Sequence, residues 1–595
     1  VSLKRTINSR RPTPLTKNLR RDLVVARHVF LVAAPVGIIV GAAVAGYDYI
    51  VNTLLWDRFA LHLNPLYLSL LPIVGLFLTG AILSIFRVTS SSMADEVVLA
   101  YHRPEAGIRY EQAVPKLVAS VATMGFGGSA GMEGASKWLG GTISSFIQRL
   151  LNKSHEGRAF HGRVETTMIA GAAAGIAAIF RAPLTGAIMG VESPYKHDLA
   201  HESLVHALMA SATSYATFSM LRPASSYFPI SFTYHIHIRD LLLCVPVGLL
   251  GGLCSHIFIL LLQGTKRRWA TWDIPRAFKT GFGGVLVTAI ALISYRVIGE
   301  PATLQSGLGV ANRLLNGKYV LWVCLFILVA KLLATVVTFG SGGVGGLFVP
   351  SATIGAALGA CCDLMFHPSQ PGLLTLVGIA AFSGASYNSL LFSAVFVAEA
   401  TGSATLVVPS LIASCTAFLI SAGISNSESQ RQKRPTDEAL LASFRCGDWM
   451  TTKIIVAKLD HSLAHFAERA MSEHSFKELP VIGSDGLFIG LASLRSMRSI
   501  PRSQWISTSV EKIVDPGTRT VCAEHSLANA EEELAKGEHD YLPVIDPATD
   551  QLVGILSMSD VLRARSRAKE VLRHEPGEGR SLMGRLGIGG WSSKD

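Results

Sequence analysis

Residues 126–136 read Phe126-Gly127-Gly128-Ser129-Ala130-Gly131-Met132-Glu133-Gly134-Ala135-Ser136 and lie inside a long apolar stretch. A carboxylate among glycines at membrane depth is costly unless it faces a polar pathway, so Glu133 marks a functional site. Glycine has no Cβ, which lets backbone N–H groups come close to an anion. A helix that starts here also presents its positive dipole end. The stretch therefore pairs an anion site with an acid that competes for it.

The rest of the chain fits that setting. Of its 595 residues 49% are hydrophobic and only 16% charged, and the mean hydropathy is +0.40. Those values describe a polytopic membrane protein rather than a soluble one. Runs at 29–50, 68–86, 241–262, 320–339 and 404–422 approach the length that crosses a bilayer. Others, at 166–180 and 373–383, are short or broken, as in transporters whose half-helices meet at a central site.

The formal charge of +11 is uneven: residues 1–27 carry Lys4, Arg5, Arg10, Arg11, Lys17, Arg20, Arg21 and Arg27 against Asp22. By the positive-inside rule this basic arm is cytoplasmic, and with membrane spans behind it no nucleic-acid partner is expected. The first apolar run is too long for a signal peptide and has no cleavage site. Eight cysteines are scattered without ligand spacing, and the Cys361-Cys362 pair reads as packing. His235-Ile236-His237 offers two imidazoles in a loop, a weak basis for a metal site, and none is expected. Gly125-Phe126-Gly127 lacks the βαβ context of a dinucleotide loop, and no Walker lysine pattern supports an ATP-driven pump or an enzyme.

The apolar part repeats. Gly175-Ile176-Ala177-Ala178 returns 203 residues later as Gly378-Ile379-Ala380-Ala381, and Phe126-Gly127 returns 213 residues later as Phe339-Gly340. The second glycine-rich stretch continues Ser341-Gly342-Gly343-Val344-Gly345-Gly346-Leu347-Phe348-Val349-Pro350. Each repeat closes on an acid, Glu192 or Glu399. Glycine-interrupted segments at matching places in two halves point to a binding site between them.

Beyond Ser425 the chain turns polar, and Leu479-Pro480-Val481-Ile482 recurs as Leu542-Pro543-Val544-Ile545. Each copy follows an amphipathic helical stretch and precedes a short apolar strand, so the tail is a tandem of β–α units. The expected division is a basic arm at 1–25, a membrane domain at 26–424 and a linker at 425–445. Two soluble units follow at 446–500 and 506–565, then a mobile tail at 566–595.

Taken together, Gly131-Met132-Glu133-Gly134, Ala182-Pro183-Leu184 with Val191-Glu192, and Gly346-Leu347-Phe348-Val349-Pro350 resemble the CLC chloride channels and chloride/proton exchangers. The tail resembles a pair of cystathionine-β-synthase (CBS) domains. The resemblance implies an all-α polytopic fold, an inverted repeat of tilted and broken helices, followed by a cytoplasmic α/β tandem CBS pair. It implies a homodimer in the cell membrane, most simply a bacterial inner membrane, with an anion pathway in each subunit. Glu133 would be the gate, and Ser92, Gly131, Met132, Gly134, Gly346, Leu347, Phe348 and Val349 would line the anion site. Chloride is the default; bicarbonate, nitrate and fluoride are alternatives. No cofactor is required, although a CBS pair admits an adenine nucleotide, here through Ser557 and Asp560.

The departures from that pattern sharpen the expectations. The segment Ser91-Ser92-Met93-Ala94-Asp95-Glu96 stands where Gly-Ser-Gly-Ile-Pro is usual, and Asp95 is expected to serve as a helix N-cap. Met132 replaces a cation beside the gate. Asn388-Ser389-Leu390 replaces the second Ala-Pro-Leu. No tyrosine occurs between Tyr387 and Tyr541, and Ser427 falls near the place of the pathway tyrosine. Ser193 occupies the position of the exchangers' internal proton glutamate, while Glu192 keeps a structural role. Channel-like or weakly proton-coupled transport leads; an exchanger and a non-conducting sensor that signals through the CBS domains are the alternatives.

Overall fold

The computed structural model describes residues 26–103, 108–154, 160, 162–222, 226–230, 233–421, 423–434, 441–472, 477–537 and 539–573. The basic arm at 1–25 lies outside them. The chain forms two compact units, Val1–Arg434 and Pro435–Asp595.

The first unit is helical: α1 Ala26–His62, α2 Pro65–Ile85, α3 Ala94–His102, α4 Ala113–Gly125, α5 Glu133–Lys153, α6 Val164–Phe180, α7 Pro183–Glu192 and α8 Leu204–Leu221. It continues with α9 Ile238–Ala270, α10 Arg276–Ile298, α11 Leu308–Leu315, α12 Leu321–Gly340, α13 Phe348–Phe366, α14 Leu373–Tyr387, α15 Leu390–Thr401 and α16 Val407–Ile420. Six of these helices, among them α1, α2, α9, α10 and α12, are long and apolar enough to cross a membrane. Small residues set their packing. On α9, Gly248 and Gly252 press against Ala413 and Ala417 of α16, where a Cβ would stand 2.6 and 2.7 Å from a carbonyl oxygen. Leu249, Leu253 and Leu260 on the same helix remain exposed, as lipid-facing side chains are.

The two halves repeat element by element, α4 to α8 matching α12 to α16. Their register differs from the one expected. The turns at Gly127 (φ +83°) and Gly342 (φ +105°) correspond, each followed by the same bond, Gly128 N–H to Thr123 O and Gly343 N–H to Thr338 O. The offset is thus 215 residues, not 213, and it makes Glu133 and Phe348 equivalent first residues of α5 and α13. The Gly-Ile-Ala-Ala match is also displaced. Gly378 packs on Gly355 as Gly171 packs on Gly140, so the structural partner of Gly378 is Gly171. A slip of four residues is about one helical turn and keeps the same face, which is why the sequence match looked sound.

The two closing acids cap each other's helices. Glu192, ending α7, accepts bonds from Leu391 N and Phe392 N (both 3.0 Å) and from the Ser389 hydroxyl at the start of α15. Glu399, near the end of α15, accepts bonds from Leu184 N (3.0 Å), Thr185 N (2.7 Å) and Thr185 Oγ1 (2.6 Å) at the start of α7. Each carboxylate meets orphan amides and a positive dipole end. Leu184 therefore corresponds to Leu391, and the counterpart of Ala182-Pro183-Leu184 is Ser389-Leu390-Leu391, one residue later than expected.

Residues 425–434 pack on the helical unit rather than leaving it. Lys196 N donates to Arg431 O (2.9 Å) and His197 N to Gln432 O (3.1 Å).

The second unit holds two small sheets. The first comprises β1 Ala457–Lys458, β2 Glu478–Ile482, β3 Phe488–Ser493 and β4 Val514–Asp515, in that order, with β1–β2 parallel and the other pairs antiparallel. The second comprises β5 Val521–Cys522, β6 Tyr541–Ile545 and β7 Leu552–Ser557, with β5–β6 parallel and β6–β7 antiparallel. Helices α17 Leu463–Ser472 and α18 Leu527–Lys536 precede β2 and β6, and buried Leu463, Phe466, Leu527 and Leu534 fix them to their sheets. The closing helix α19 Met558–Arg573 passes the boundary expected at 565, because Val561 and Ala564 are buried and Arg565 pairs with Glu531. Residues 574–595 lie outside the described ones.

Candidate anion site

Glu133 opens α5, yet its side chain serves α13. Its carboxylate accepts a hydrogen bond from Phe348 N at 2.5 Å. It is 2% exposed, and its second oxygen makes no hydrogen bond among the described residues. Two backbone segments hold it in place. Gly131 N donates to Gly346 O (2.8 Å) and Gly346 N donates back to Gly131 O (2.6 Å), a single antiparallel rung between the halves. A Cβ on Gly131 or Gly346 would overlap the carboxylate itself, so the cradle exists only because both residues are glycine. Gly134 serves a different need: its Cβ would stand 2.6 Å from Gly345 O, so it sets the approach of α5 to the second half.

The expected ligands divide accordingly. Phe348 faces the acid through its amide, and its buried ring packs against Phe180 and Phe396 at 4.8 Å between centroids and Phe392 at 5.2 Å. The amides of Gly131 and Gly346 are committed to each other, so these two shape the site instead of donating to an anion. Met132 and Val349 line, with Glu133, Arg181, Tyr227 and Gln305, a cavity of about 450 Å³. Leu347 precedes α13 as its N-cap residue.

Ser92 does not join this group. Its hydroxyl makes no hydrogen bond among the described residues, while its carbonyl accepts from Lys116 Nζ at 3.4 Å. Asp95 is not the N-cap expected, for α3 begins at Ala94 and Asp95 is its second residue. Its carboxylate instead takes the Ser427 hydroxyl, Ser429 N (3.0 Å) and Ser429 Oγ (2.8 Å). An acid at a helix start keeps its dipole stabilisation while its oxygens reach a neighbouring segment. Ser193 Oγ donates to Gly190 O (3.1 Å), a local bond within its own turn.

Several site residues were missed. Tyr387, the last residue of α14, lies edge-on to Phe348 at 5.8 Å, so a tyrosine ring does flank the site although no tyrosine follows it in the membrane sequence. Arg181 lines the Glu133 cavity from a left-handed position (φ 56°) that closes α6. Lys137, one turn beyond Glu133, is buried.

A family model described as voltage gated chloride channel matches residues 74–422. The chain belongs to the CLC family. Two CBS domains match at residues 446–502 and 510–567. CLC relatives include an uncharacterized protein of Methanocaldococcus jannaschii, 28% identical over 359 residues, 60% of this chain and 86% of that one. The voltage-gated ClC-type chloride channel ClcB of Escherichia coli K12 is 24% identical over 424 residues, 68% of this chain and 98% of the relative. Two solved structures share the fold at a TM-score of 0.59: a CLC-type fluoride/proton antiporter, 23% identical, covering 68% of this chain and 98% of that one, and a slow cyanobacterial chloride/proton antiporter, 20% identical, covering 67% and 95%. As a CLC protein this chain is a multi-pass membrane transport protein for chloride-type anions and not an enzyme.

In the CBS pair, Asp560 is turned inward. Its carboxylate accepts from Ser557 N (2.9 Å) and Ser557 Oγ (2.6 Å) and pairs with Arg563. One oxygen takes both Ser557 bonds that start α19, and the other meets the exposed Arg563. These residues as arranged form a helix cap.

Proposed function

We propose that each subunit of a homodimer conducts a small inorganic anion, chloride by family default, past Glu133 as a gate, in a channel-like or weakly proton-coupled manner. The carrying observation is the Glu133 carboxylate on the Phe348 amide: a tethered anion at a helix N-terminus, where a mobile anion would gain the same bond and dipole. Protonation or displacement of Glu133 vacates that place. Ser193, whose hydroxyl donates within its own turn, supports channel-like behaviour, since a hydroxyl holds no proton in reserve for an internal relay. A cytoplasmic N-terminus and CBS pair complete the reading.

The test is anion flux from liposomes containing the whole protein, with external pH recorded and chloride, fluoride, nitrate and bicarbonate compared. Glu133→Ala and Glu133→Gln are expected to raise passive anion flux and abolish any proton movement that opposes it. Stoichiometric proton uptake in the unmodified protein would establish an exchanger, the activity named for both antiporter neighbours. Absence of flux for all four anions would favour a sensor.

A further inference from the structure

Among the described residues three lysines are buried in the helical unit, and two of them have direct partners. Lys331 Nζ donates to Thr303 O (3.1 Å) and Gln305 O (2.6 Å). Lys116 pairs with Glu96, which also accepts from Trp138 Nε1 at 3.1 Å. Lys137 is different. It is 4% exposed and forms neither a hydrogen bond nor an ion pair within 4 Å among the described residues. The acid that acts on it electrostatically is Asp95, and Asp95 is already held by Ser427 and Ser429.

Its place on α5 is informative. Glu133, Lys137 and Gly141 recur at four-residue intervals and so share a face. At one end of that stripe Glu133 meets Phe348 N. At the other, Gly141 lies against Val97 of α3, where a Cβ would stand 3.4 Å from its side chain. Lys137 thus sits between the gate and the first turn of α3, the helix that Ser92 precedes. An ammonium buried without a hydrogen-bond acceptor is strongly disfavoured, and an ionisable group within a membrane marks an ion path by default.

We propose that Lys137 is a fixed cation of the anion pathway, binding the permeating anion directly on the inner side of the Glu133 gate. It supplies by charge the attraction that Met132, in place of a basic residue, does not. The inference rests on the transport reading above.

Anion affinity of the whole reconstituted protein tests it, measured by calorimetric titration and by the concentration dependence of flux. Lys137→Met keeps length and burial but removes the charge; it is expected to weaken anion binding about tenfold or more, the scale of a charge-assisted bond. Lys137→Arg should stay within about threefold on the same scale. A folded, dimeric Lys137→Met protein with unchanged affinity overturns the proposal. So does recovery of normal affinity in Asp95→Asn/Lys137→Met, which would make the lysine a partner of Asp95 only. Should Lys137→Met fail to fold, bromide-soaked crystals of the unmodified protein decide: bromide at Nζ is expected, and anions elsewhere on the path with Nζ bare overturn it. Failure of the transport reading would show separately, as absent flux in the unmodified protein.

Discussion

Gly131 and Gly134 flank the same glutamate yet should respond differently to one added methyl group. At Gly131 the three nearest atoms to a built Cβ all belong to the Glu133 carboxyl group, the free end of a flexible side chain. Gly131→Ala is therefore expected to fold normally and to evict Glu133 from the Phe348 amide, raising anion flux as is expected of Glu133→Ala. At Gly134 the obstacle is backbone, Gly345 O at 2.6 Å and Gly346 Cα at 2.8 Å. Gly134→Ala should cost about 1–3 kcal/mol, an overpacking penalty, with a lowered unfolding temperature in detergent. Flux assays and thermal melts on both variants check the contrast. The importance of Glu133 was legible in the sequence because an acid at membrane depth is costly and the glycines beside it leave room for an ion. The division of labour among those glycines was not, since it depends on the Glu133 side chain folding back over Gly131 and on the distant Gly345 and Gly346 coming to face Gly134. Lys137 escaped notice for the opposite reason: a lysine beside a tryptophan in an otherwise polar-flecked helix looks unremarkable until its neighbours are found to be engaged elsewhere.

At the scale of elements, the mutual capping of α7 and α15 replaces terminal side-chain caps that neither helix has of its own. Glu399→Ala would strand the amides of Leu184 and Thr185, and Glu192→Ala those of Leu391 and Phe392. Each loss should cost about 1–3 kcal/mol, the penalty for leaving one buried donor, Thr185 N or Phe392 N, unpaired. Because the two helices share one interface, the double variant should depart from additivity, which thermal unfolding of the four proteins would measure. The sequence announced that each repeat closes on an acid, but not that the acid crosses to the other repeat. Identical short segments likewise located the repeats while misplacing their register by two residues at the glycine turn and by one turn at α6 and α14. Fixing the register needed the hydrogen bonds of Gly128 and Gly343, which sequence identity does not encode.

At the scale of the whole molecule, residues 425–434 join the helical unit before the chain reaches the CBS pair. Asp95, near the start of the helix that follows Ser92, holds this strap through Ser427 and Ser429. Asp95→Asn is expected to loosen residues 426–430, read as faster amide hydrogen exchange there and little change in α9 or α10. Equal exchange in both proteins would show that the strap is held by Lys196 and His197 instead. The polar composition of this stretch suggested a linker; its serines turn out to be ligands for a carboxylate.

The single rung between Gly131 and Gly346 also bears on how the protein is made. A nascent chain released only as far as the first repeat contains Glu133 and one lip of the cradle, but neither the Phe348 amide nor the opposing glycine. The bond between Glu133 and the Phe348 amide, the place proposed for the anion, can form only once residue 348 has been synthesised, more than two hundred residues after its acid. On the proposed reading, a pathway gated by Glu133 is therefore complete only when the second half has closed on the first.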